Sequence, residues 1–462
     1  MPEPIFTRFS KIGERDHFRF GALYTSVWEV QNGELFKGKK LAYPLAKLRD
    51  LMRPYSEAQV IKKGPLDREY ILIDLEDIES RTGRIKKGKK VTKIGSDKVL
   101  FGDADILFSK LRPYLGYAII NDKTKPYIGT TELIPFKVKN AVPEYIKYLM
   151  LTQEFLTLTS HLMYGKEHPR IDKEDLLNVL VPYPPKERQC EIVEKIKINI
   201  EAKVDSLRSK IVPMQKAVDD VFRREGIKKG PERQRSTIFQ SSFRRLGEQK
   251  YMRLGSRYRY FWEIRKGQLF DDSVYPLERL GNMAREAKVA VLKKGLLDSE
   301  YIQVDLANIM KKEGRIKDDV ETVTEIGSDK VVFGDSDVLY SQIDPFLGHV
   351  ILNDESRPYI GTTELTPLKT EDDVDRRFIR YILLSQDFLG SSRYLMYGKR
   401  HPRIHIYDVM NLRIPKPSLT IQQKISDEIE KTEKNNIECD EKIVGLYLKL
   451  NDLLLTELST ER

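Results

Sequence analysis

The chain has 462 residues, of which 40% are hydrophobic and 32% charged, so it is long enough for two domains with ordinary apolar cores. It has no apolar run of about 18 residues and no charged start leading into an apolar run, which argues against a membrane span and a signal peptide. Its two cysteines, Cys190 and Cys439, give neither a metal-ligand spacing nor a disulfide framework, and we expect a soluble, cytoplasmic protein. The net charge of +10 suits a nucleic-acid partner without requiring one.

In chain order, the sequence predicts two tandem domains, each followed by a long helix. The first domain is expected over residues 1–185, a helix over 186–225 and a linker over 226–236. A second domain over 237–418 then leads into a second helix over 419–462. At the end of each domain the period of the apolar residues changes from strand-like to helical.

The two domains repeat each other in sequence. Residues 101–133 return as residues 333–365 with 20 of 33 positions identical, whereas chance would give about two. A second block, LMYGKEHPRI from Leu162, returns as LMYGKRHPRI from Leu395. The number of residues between matching positions varies slightly along the repeat. We therefore expect small insertions between the blocks, located in surface turns. Each half is therefore predicted to fold as a domain with its own core.

Both long helices carry an apolar stripe. Apolar side chains follow at spacings of three and four from Ile192 to Val221, and the same spacing runs from Ile425 to Leu453. Both helices begin just after a proline-containing exit from the domain. Such a stripe must be covered either by the helix's own domain or by the other helix. We expect the two helices to pair as a coiled coil.

An antiparallel pair of helices has geometric consequences. A helix of about 40 residues is about 60 Å long, so the first helix would carry the chain to the second domain and the second would return beside it. This arrangement gives the chain an approximate two-fold axis and separates Cys190 from Cys439, so we predict no disulfide. The polar residues Thr432, Asn436 and Cys439 lie on the stripe near the helix middle, where they are suited to set the register at a cost in stability.

The order of the motifs resembles that of a known family. Each half has a G-D-x-D-x-L-[FY]-S block, a GTTEL strand, an HPRI loop and a proline-containing exit into a long helix. Together these blocks resemble the specificity subunit of type I restriction-modification systems over essentially the whole chain. The resemblance implies two mixed α/β target recognition domains in tandem, separated by antiparallel coiled-coil spacer helices with a pseudo-two-fold axis.

The resemblance also implies that the chain is not itself an enzyme. It would bind double-stranded DNA and direct methyltransferase (modification) subunits, and through them a restriction/translocase subunit, to a bipartite sequence. S-adenosylmethionine, ATP and magnesium are then expected on the partner subunits and not on this chain. The sequence agrees, because it has no G-x-x-x-x-G-K-[ST] phosphate loop and no Asn-Pro-Pro-aromatic motif; Pro184 and Pro185 lack the asparagine.

The first candidate DNA-binding segment of each half is the loop YGKEHPRI or YGKRHPRI. Its glycine and proline shape a loop whose basic residues can reach phosphates or base edges. These residues are Lys166, His168 and Arg170 in the first half and Lys399, Arg400, His401 and Arg403 in the second. Alternatively, the tyrosine packs inward and the arginine pairs with a carboxylate.

The second candidate segment is SKLRPYLGY, residues 109–117, with its counterpart SQIDPFLGH, residues 341–349. Within this similar frame, Lys110 and Arg112 are replaced by Gln342 and Asp344. Arginine favours guanine and glutamine favours adenine, so the replacements would make the two half-sites differ; otherwise these are exposed positions that drift freely.

The residues Tyr127, Thr130, Thr131 and Glu132 recur identically in the second half. Their alternation is typical of a core strand. We expect them to be structural, with the carboxylate satisfied inside the domain.

We therefore expect each domain to contact one half-site, with half-site centres one to two helical turns of about 34 Å apart. Because the domains are alike, the half-sites should be similar and inverted. Two other classes remain open. An autonomous nuclease or methyltransferase would turn over DNA without partners, whereas a protein-interaction scaffold would use its helices as the functional surface and would not need the loop cations for DNA.

Overall fold

The structure is a computed structural model that describes residues 22–86, 88–228, 253, 255–270, 272–317 and 320–459. It has two compact units, Met1–Ser209 with Cys439–Arg462 and Lys210–Glu438. Residues 229–236 of the predicted linker, and residues 1–21, 237–252 and 460–462 of the predicted domains and second helix, lie outside the described residues.

The first unit contains two sheets and the helices that flank them. Its helices are α1 Ala22–Glu29, α2 Leu48–Leu51, α3 Pro143–Leu151, α4 Gln153–His161, α5 Lys173–Asn178, α6 Lys186–Ile196 and α7 Ala202–Arg208. Its strands are β1 Leu45–Lys47, β2 Met52–Pro54, β3 Gln59–Ile61, β4 Gly64–Ile73, β5 Ile78–Glu79, β6 Arg84–Ile85, β7 Lys89–Ile94, β8 Lys98–Leu100, β9 Ile106–Ser109, β10 Ala118–Ile120, β11 Tyr127–Thr130, β12 Leu133–Val138, β13 Met163–Tyr164, β14 Arg170–Ile171 and β15 Leu180–Pro182. The larger sheet has the order β3-β8-β11-β4-β7 and the smaller β10-β9-β12-β2.

The second unit repeats this topology. Its helices are α8 Met214–Arg224, α9 Ser256–Arg259, α10 Arg376–Leu384, α11 Gln386–Leu395, α12 Ile406–Met410 and α13 Leu419–Leu458. Its strands are β16 Leu277–Arg279, β17 Ala284–Glu286, β18 Val291–Leu292, β19 Gly295–Val304, β20 Glu321–Ile326, β21 Lys330–Val332, β22 Val338–Ser341, β23 Val350–Leu352, β24 Tyr359–Thr362, β25 Leu365–Thr370 and β26 Arg413–Pro415. The sheet orders β18-β21-β24-β19-β20 and β17-β25-β22-β23 match those of the first unit strand for strand. The predicted mixed α/β fold with two repeated domains is confirmed.

The repeated sequence block forms the scaffold of each unit. Asp105 accepts a hydrogen bond from the backbone N–H of Val138 at 2.8 Å, and Asp337 accepts one from Thr370 at the same distance. The glycine of the GTTEL strand is required by close packing, because a Cβ on Gly129 would lie 2.5 Å from the carbonyl oxygen of Ile73. These contacts explain why the block recurs with so few changes.

The helix predicted over residues 186–225 is interrupted. Helices α6 and α7 are joined by a π-helical turn, Lys197–Glu201, and the chain then leaves the helix before resuming as α8 at Met214. Pro213 lies in this break. A proline has no N–H to donate and its ring collides with the preceding turn, so it cannot sit inside a helix without disrupting it. The apolar spacing continues through the break, so the pattern alone predicted one helix; α13 is continuous, as predicted.

Each unit contains its own antiparallel pair of helical segments. In the first unit, Arg188 and Lys195 of α6 pair with Glu457 near the end of α13, at 2.7 and 2.8 Å. In the second unit, Glu225 just after α8 pairs with Lys424 near the start of α13 at 2.8 Å. Helix α13 therefore contributes residues to both units, as the division at Glu438 and Cys439 indicates.

The helices bury their stripes against the domain as well as against each other. Val218 and Phe222 of α8 and Ile429 of α13 share one apolar cluster with Phe378 and Tyr381 of α10. The sequence allowed the stripe to be covered either by the helix's own domain or by the other helix, and in this unit both cover it. Burying these side chains on both sides stabilises the unit, because each large apolar side chain removed from water contributes about 1.5 to 3 kcal/mol.

A polar residue of the α13 stripe closes the break in the first helical segment. The side chain of Asn436 accepts a hydrogen bond from the N–H of Val212 at 3.0 Å and donates one to the carbonyl oxygen of Val212 at 2.7 Å. Both bonds lie within the second unit. Asn436 thus satisfies backbone groups next to Pro213 that no helix pairs, and this geometry fits the register-setting role predicted for it.

Replacing Asn436 with alanine should lower the free energy of unfolding of the second unit by about 1 to 3 kcal/mol, because two part-buried backbone groups of Val212 lose their partners. Denaturant unfolding of the full chain measures the change. The control is Asn435→Ala, since Asn435 is exposed and makes one bond, at 3.4 Å, to Lys210. We expect that control to stay within about 0.5 kcal/mol of wild type; equal losses in the two variants would contradict the assignment.

Candidate nucleic-acid interface

The two candidate segments of the first unit lie side by side. Strands β13 and β14 form a hairpin whose tip is residues 165–169, and Leu111 pairs with Arg170 of that hairpin. The N–H of Arg112 donates to the carbonyl of Pro169 at 2.8 Å, and the N–H of Ile171 donates to Lys110 at 2.9 Å. From the sequence alone, these segments are two separate candidates. We call Lys110, Arg112, Lys166, His168 and Arg170 the first patch.

The second unit builds the same arrangement from its own copies. The N–H of Asp344 donates to the carbonyl of Pro402 at 2.8 Å, and Ile404 donates to Gln342 at 2.9 Å. Ile343 pairs with Arg403 as Leu111 does with Arg170. We call the residues Gln342, Lys399, Arg400, His401 and Arg403 the second patch. All ten predicted residues therefore fall into two equivalent surfaces, one in each unit.

A glutamate in the two-residue turn that joins β11 to β12, or β24 to β25, holds each patch together, so the core strand predicted through Glu132 is interrupted there. Arg170 donates to both carboxylate oxygens of Glu132, from Nε at 3.0 Å and from Nη2 at 2.8 Å. The backbone carbonyl of Glu132 also accepts the N–H of Lys110 at 3.0 Å. Such bidentate, charge-assisted bonds fix geometry as well as adding energy. The expectation that Glu132 is satisfied inside the domain is confirmed.

The second unit has the same clamp between Glu364 and Arg403. The guanidinium donates to the carboxylate at 2.5 and 3.3 Å, and the carbonyl of Glu364 accepts the N–H of Gln342 at 3.2 Å. Arg170 and Arg403 thus have the carboxylate-pairing role that the sequence left open. Their contact with DNA stays a prediction.

The hairpin tips present cations that are exposed. Lys166 and His168 in the first patch, and Lys399 and Arg400 in the second, are exposed, and within the described parts of the chain their side chains form no hydrogen bond or ion pair. The alternative in which the tyrosine packs inward is wrong for Tyr164, which is 47% exposed. Cations on a glycine-containing tip are free to meet a polyanion.

The residues that differ between the two patches also differ in exposure and in the contacts that they make. Arg112 and Asp344 share a left-handed backbone, with φ of 47° and 46°, so the frame is the same. Arg112 is exposed, whereas Asp344 lies 3.6 Å from His401. The amide of Gln342 donates to Thr366 at 2.6 Å, a contact that the sequence did not reveal. The first patch is therefore the more basic of the two.

The described residues include no cluster of three or more His, Cys, Asp or Glu side chains placed to hold a metal ion. None of the helices in the described ranges is both long and apolar enough to cross a membrane. Cys190 is exposed and Cys439 is buried, and both are free.

Comparison with known proteins finds similarity to one family over part of the chain. Residues 26–211 match the model of the family described as the type I restriction modification DNA specificity domain. A stretch of 137 residues is 31% identical to the type I restriction enzyme EcoDI specificity subunit of Escherichia coli; it covers 29% of this chain and spans 30% of that protein's length. In structure, the HsdS subunit from Thermoanaerobacter tengcongensis is similar over 91% of this chain and 97% of its own, at 15% identity and a TM-score of 0.32. The type I restriction-modification S subunit from M. genitalium covers the same shares at 13% identity and a TM-score of 0.38.

Replacing Glu132 with glutamine should remove a pH-dependent contribution to stability. The Arg170 guanidinium holds the pKa of Glu132 below its ordinary value of 4.5. A carboxyl group with a lowered pKa in the folded state stabilises fully above its unfolded pKa and loses that contribution as the pH falls through the folded pKa. The gap in thermal midpoint between wild type and Glu132→Gln should therefore be constant above about pH 5 and shrink below it.

The control for this comparison is Glu76→Gln, which changes an exposed glutamate whose carboxylate forms no ion pair within the described residues. We expect this replacement to leave the thermal midpoint close to that of wild type, because the side chain is exposed and unpaired in the described part of the chain. A Glu132→Gln gap that keeps its full size in acid would contradict a stabilising role for the pair.

Proposed function

We propose that this chain, whose residues 26–211 match the type I restriction modification DNA specificity domain, is the sequence-recognising subunit of a type I restriction-modification complex. Each recognition domain, 1–185 and 237–418, would contact one half of a bipartite DNA target. Methyltransferase subunits, and through them a restriction subunit, would be directed to that target. S-adenosylmethionine, ATP and magnesium would belong to those partners, and the complex would act in the cytoplasm.

The observation that carries this proposal is the duplicated patch. One polypeptide folds the same arrangement of loop, hairpin and glutamate clamp twice, and each hairpin tip holds exposed cations such as Lys166 and Lys399. A single binding site would need one such surface. Two equivalent surfaces in one chain fit a target with two separate halves.

The differences between the patches indicate how the half-sites differ. Arginine pairs with the major-groove edge of guanine, whereas a carboxylate accepts a hydrogen bond from the amino group of cytosine. Where Arg112 faces a guanine in one half-site, Asp344 would face a cytosine in the other. The shared frame supports half-sites that are otherwise similar and inverted.

Replacing Lys166, Lys399 and Arg400 together with alanine should weaken binding to duplex DNA. The affinity K falls as the salt concentration rises. Each phosphate contact that is lost should make the plot of log K against log salt less steep by about 0.9. Fluorescence anisotropy of a labelled duplex, titrated with the full chain over a range of salt concentrations, measures both quantities.

The matched control removes three exposed lysines outside the patches, Lys39, Lys40 and Lys431. We expect it to bind DNA with the wild-type slope. Indistinguishable behaviour of the two triple variants would count against the patches as the DNA-binding surfaces and would favour the protein-interaction scaffold.

A further inference from the structure

A cleft of about 460 Å³ opens in the second unit beside α11. Three cations, Arg257, Lys312 and Arg393, line it together with the amide side chains of Gln215 and Gln386. No acidic residue is among the described residues that line the cleft. Its wall therefore offers hydrogen-bond donors and positive charge.

The three cations are not neutralised within the described part of the unit. Arg257, Lys312 and Arg393 form no ion pair there, although Arg377 of the same unit pairs with three carboxylates. The acid nearest in sequence on α11, Asp387, is paired with Lys228. Like charges that share a cleft repel each other, and a bound anion offsets that cost.

The cleft borders the second patch. The guanidinium of Arg393 lies 5.3 Å from the ring centre of Phe346, which belongs to the loop that carries Gln342 and Asp344. Lys312 donates its N–H to the carbonyl of Gly348 in that loop at 3.3 Å. Lys312 also has a left-handed backbone, with φ of 65°, which is uncommon for a residue with a side chain. The loop that forms the patch thus also forms one edge of the cleft.

The first unit lacks this charge. In the repeat, Leu23 and Ser160 stand where the second unit has Arg257 and Arg393. Arg81, the counterpart of Lys312 with φ of 62°, donates to Gln153 at 3.3 Å. Of the three corresponding positions in the first unit, only that of Arg81 holds a cation, and this cation is already hydrogen-bonded to Gln153. The basic cleft is a feature of the second unit.

We propose that this cleft binds a phosphate group, and that the phosphate is one of the DNA backbone next to the second half-site. Guanidinium and ammonium groups suit phosphate oxygens, and the two amides add neutral donors. The position beside the second patch favours DNA as the source, a step that rests on the proposed function. The second half-site would then have a sequence-independent contact that the first lacks.

The test replaces Arg257, Lys312 and Arg393 with glutamine in the full chain. For binding to a duplex of random sequence, the plot of log K against log salt should be less steep than for wild type by about 0.9, because one phosphate contact is lost. The control replaces Lys266, Lys288 and Lys431, three exposed lysines outside the cleft, and removes the same charge. Its slope should equal that of wild type. An equal fall in both variants, or a fall in neither, would overturn the assignment to DNA.

A second arm tests the phosphate chemistry without DNA. Inorganic phosphate, compared with chloride at equal ionic strength, should raise the thermal midpoint of wild type and of the control but not of the cleft variant. If phosphate raises the thermal midpoint of wild type but the cleft variant binds DNA with the wild-type salt dependence, the cleft binds free phosphate and the assignment to DNA is overturned. No phosphate effect and no slope change would overturn the site itself. If wild type fails to bind DNA, the proposed function fails, and this arm still decides what the cleft binds.

Discussion

The geometry of each patch depends on one ion pair, which occurs once in each unit. In each unit the glutamate in the turn after β11 or β24 accepts two hydrogen bonds from the arginine of the HPRI segment. The backbone carbonyl of the same glutamate holds the neighbouring loop at Lys110 or Gln342. Three segments that are far apart in sequence are thereby fixed as one surface. The cations at the hairpin tip can then be presented without pairing, because the clamp has already fixed the geometry beneath them.

The two units keep the scaffold and vary what it presents. The sheet orders match, the left-handed residues Arg112 and Asp344 have nearly equal φ angles, and the glutamate clamp is the same. The side chains above this frame differ in charge and in partners, since the amide of Gln342 is engaged with Thr366 and the cleft cations occur in the second unit. A duplicated scaffold with divergent surfaces is what recognition of two related but unequal half-sites requires.

The sequence predicted the features that repetition and periodicity encode. The duplicated blocks identified two like domains, and the apolar stripes identified helices that pair in antiparallel order. The break at Pro213 was missed because the stripe continues through it. The carboxylate partner of Arg170 was left open, since a pattern does not show which side chains meet. The cleft was not predicted, because Arg257, Lys312 and Arg393 come together through the fold and share no motif.

We propose that one chain recognises two separated DNA sequences through two equivalent surfaces. The most direct measurement is sequencing of methylated bases in DNA from a host that carries this chain together with the methyltransferase and restriction subunits proposed as its partners. We expect methylation within two short sequences separated by a gap of fixed length and free sequence, with the two halves similar and inverted. A single short, continuous methylated sequence would contradict it.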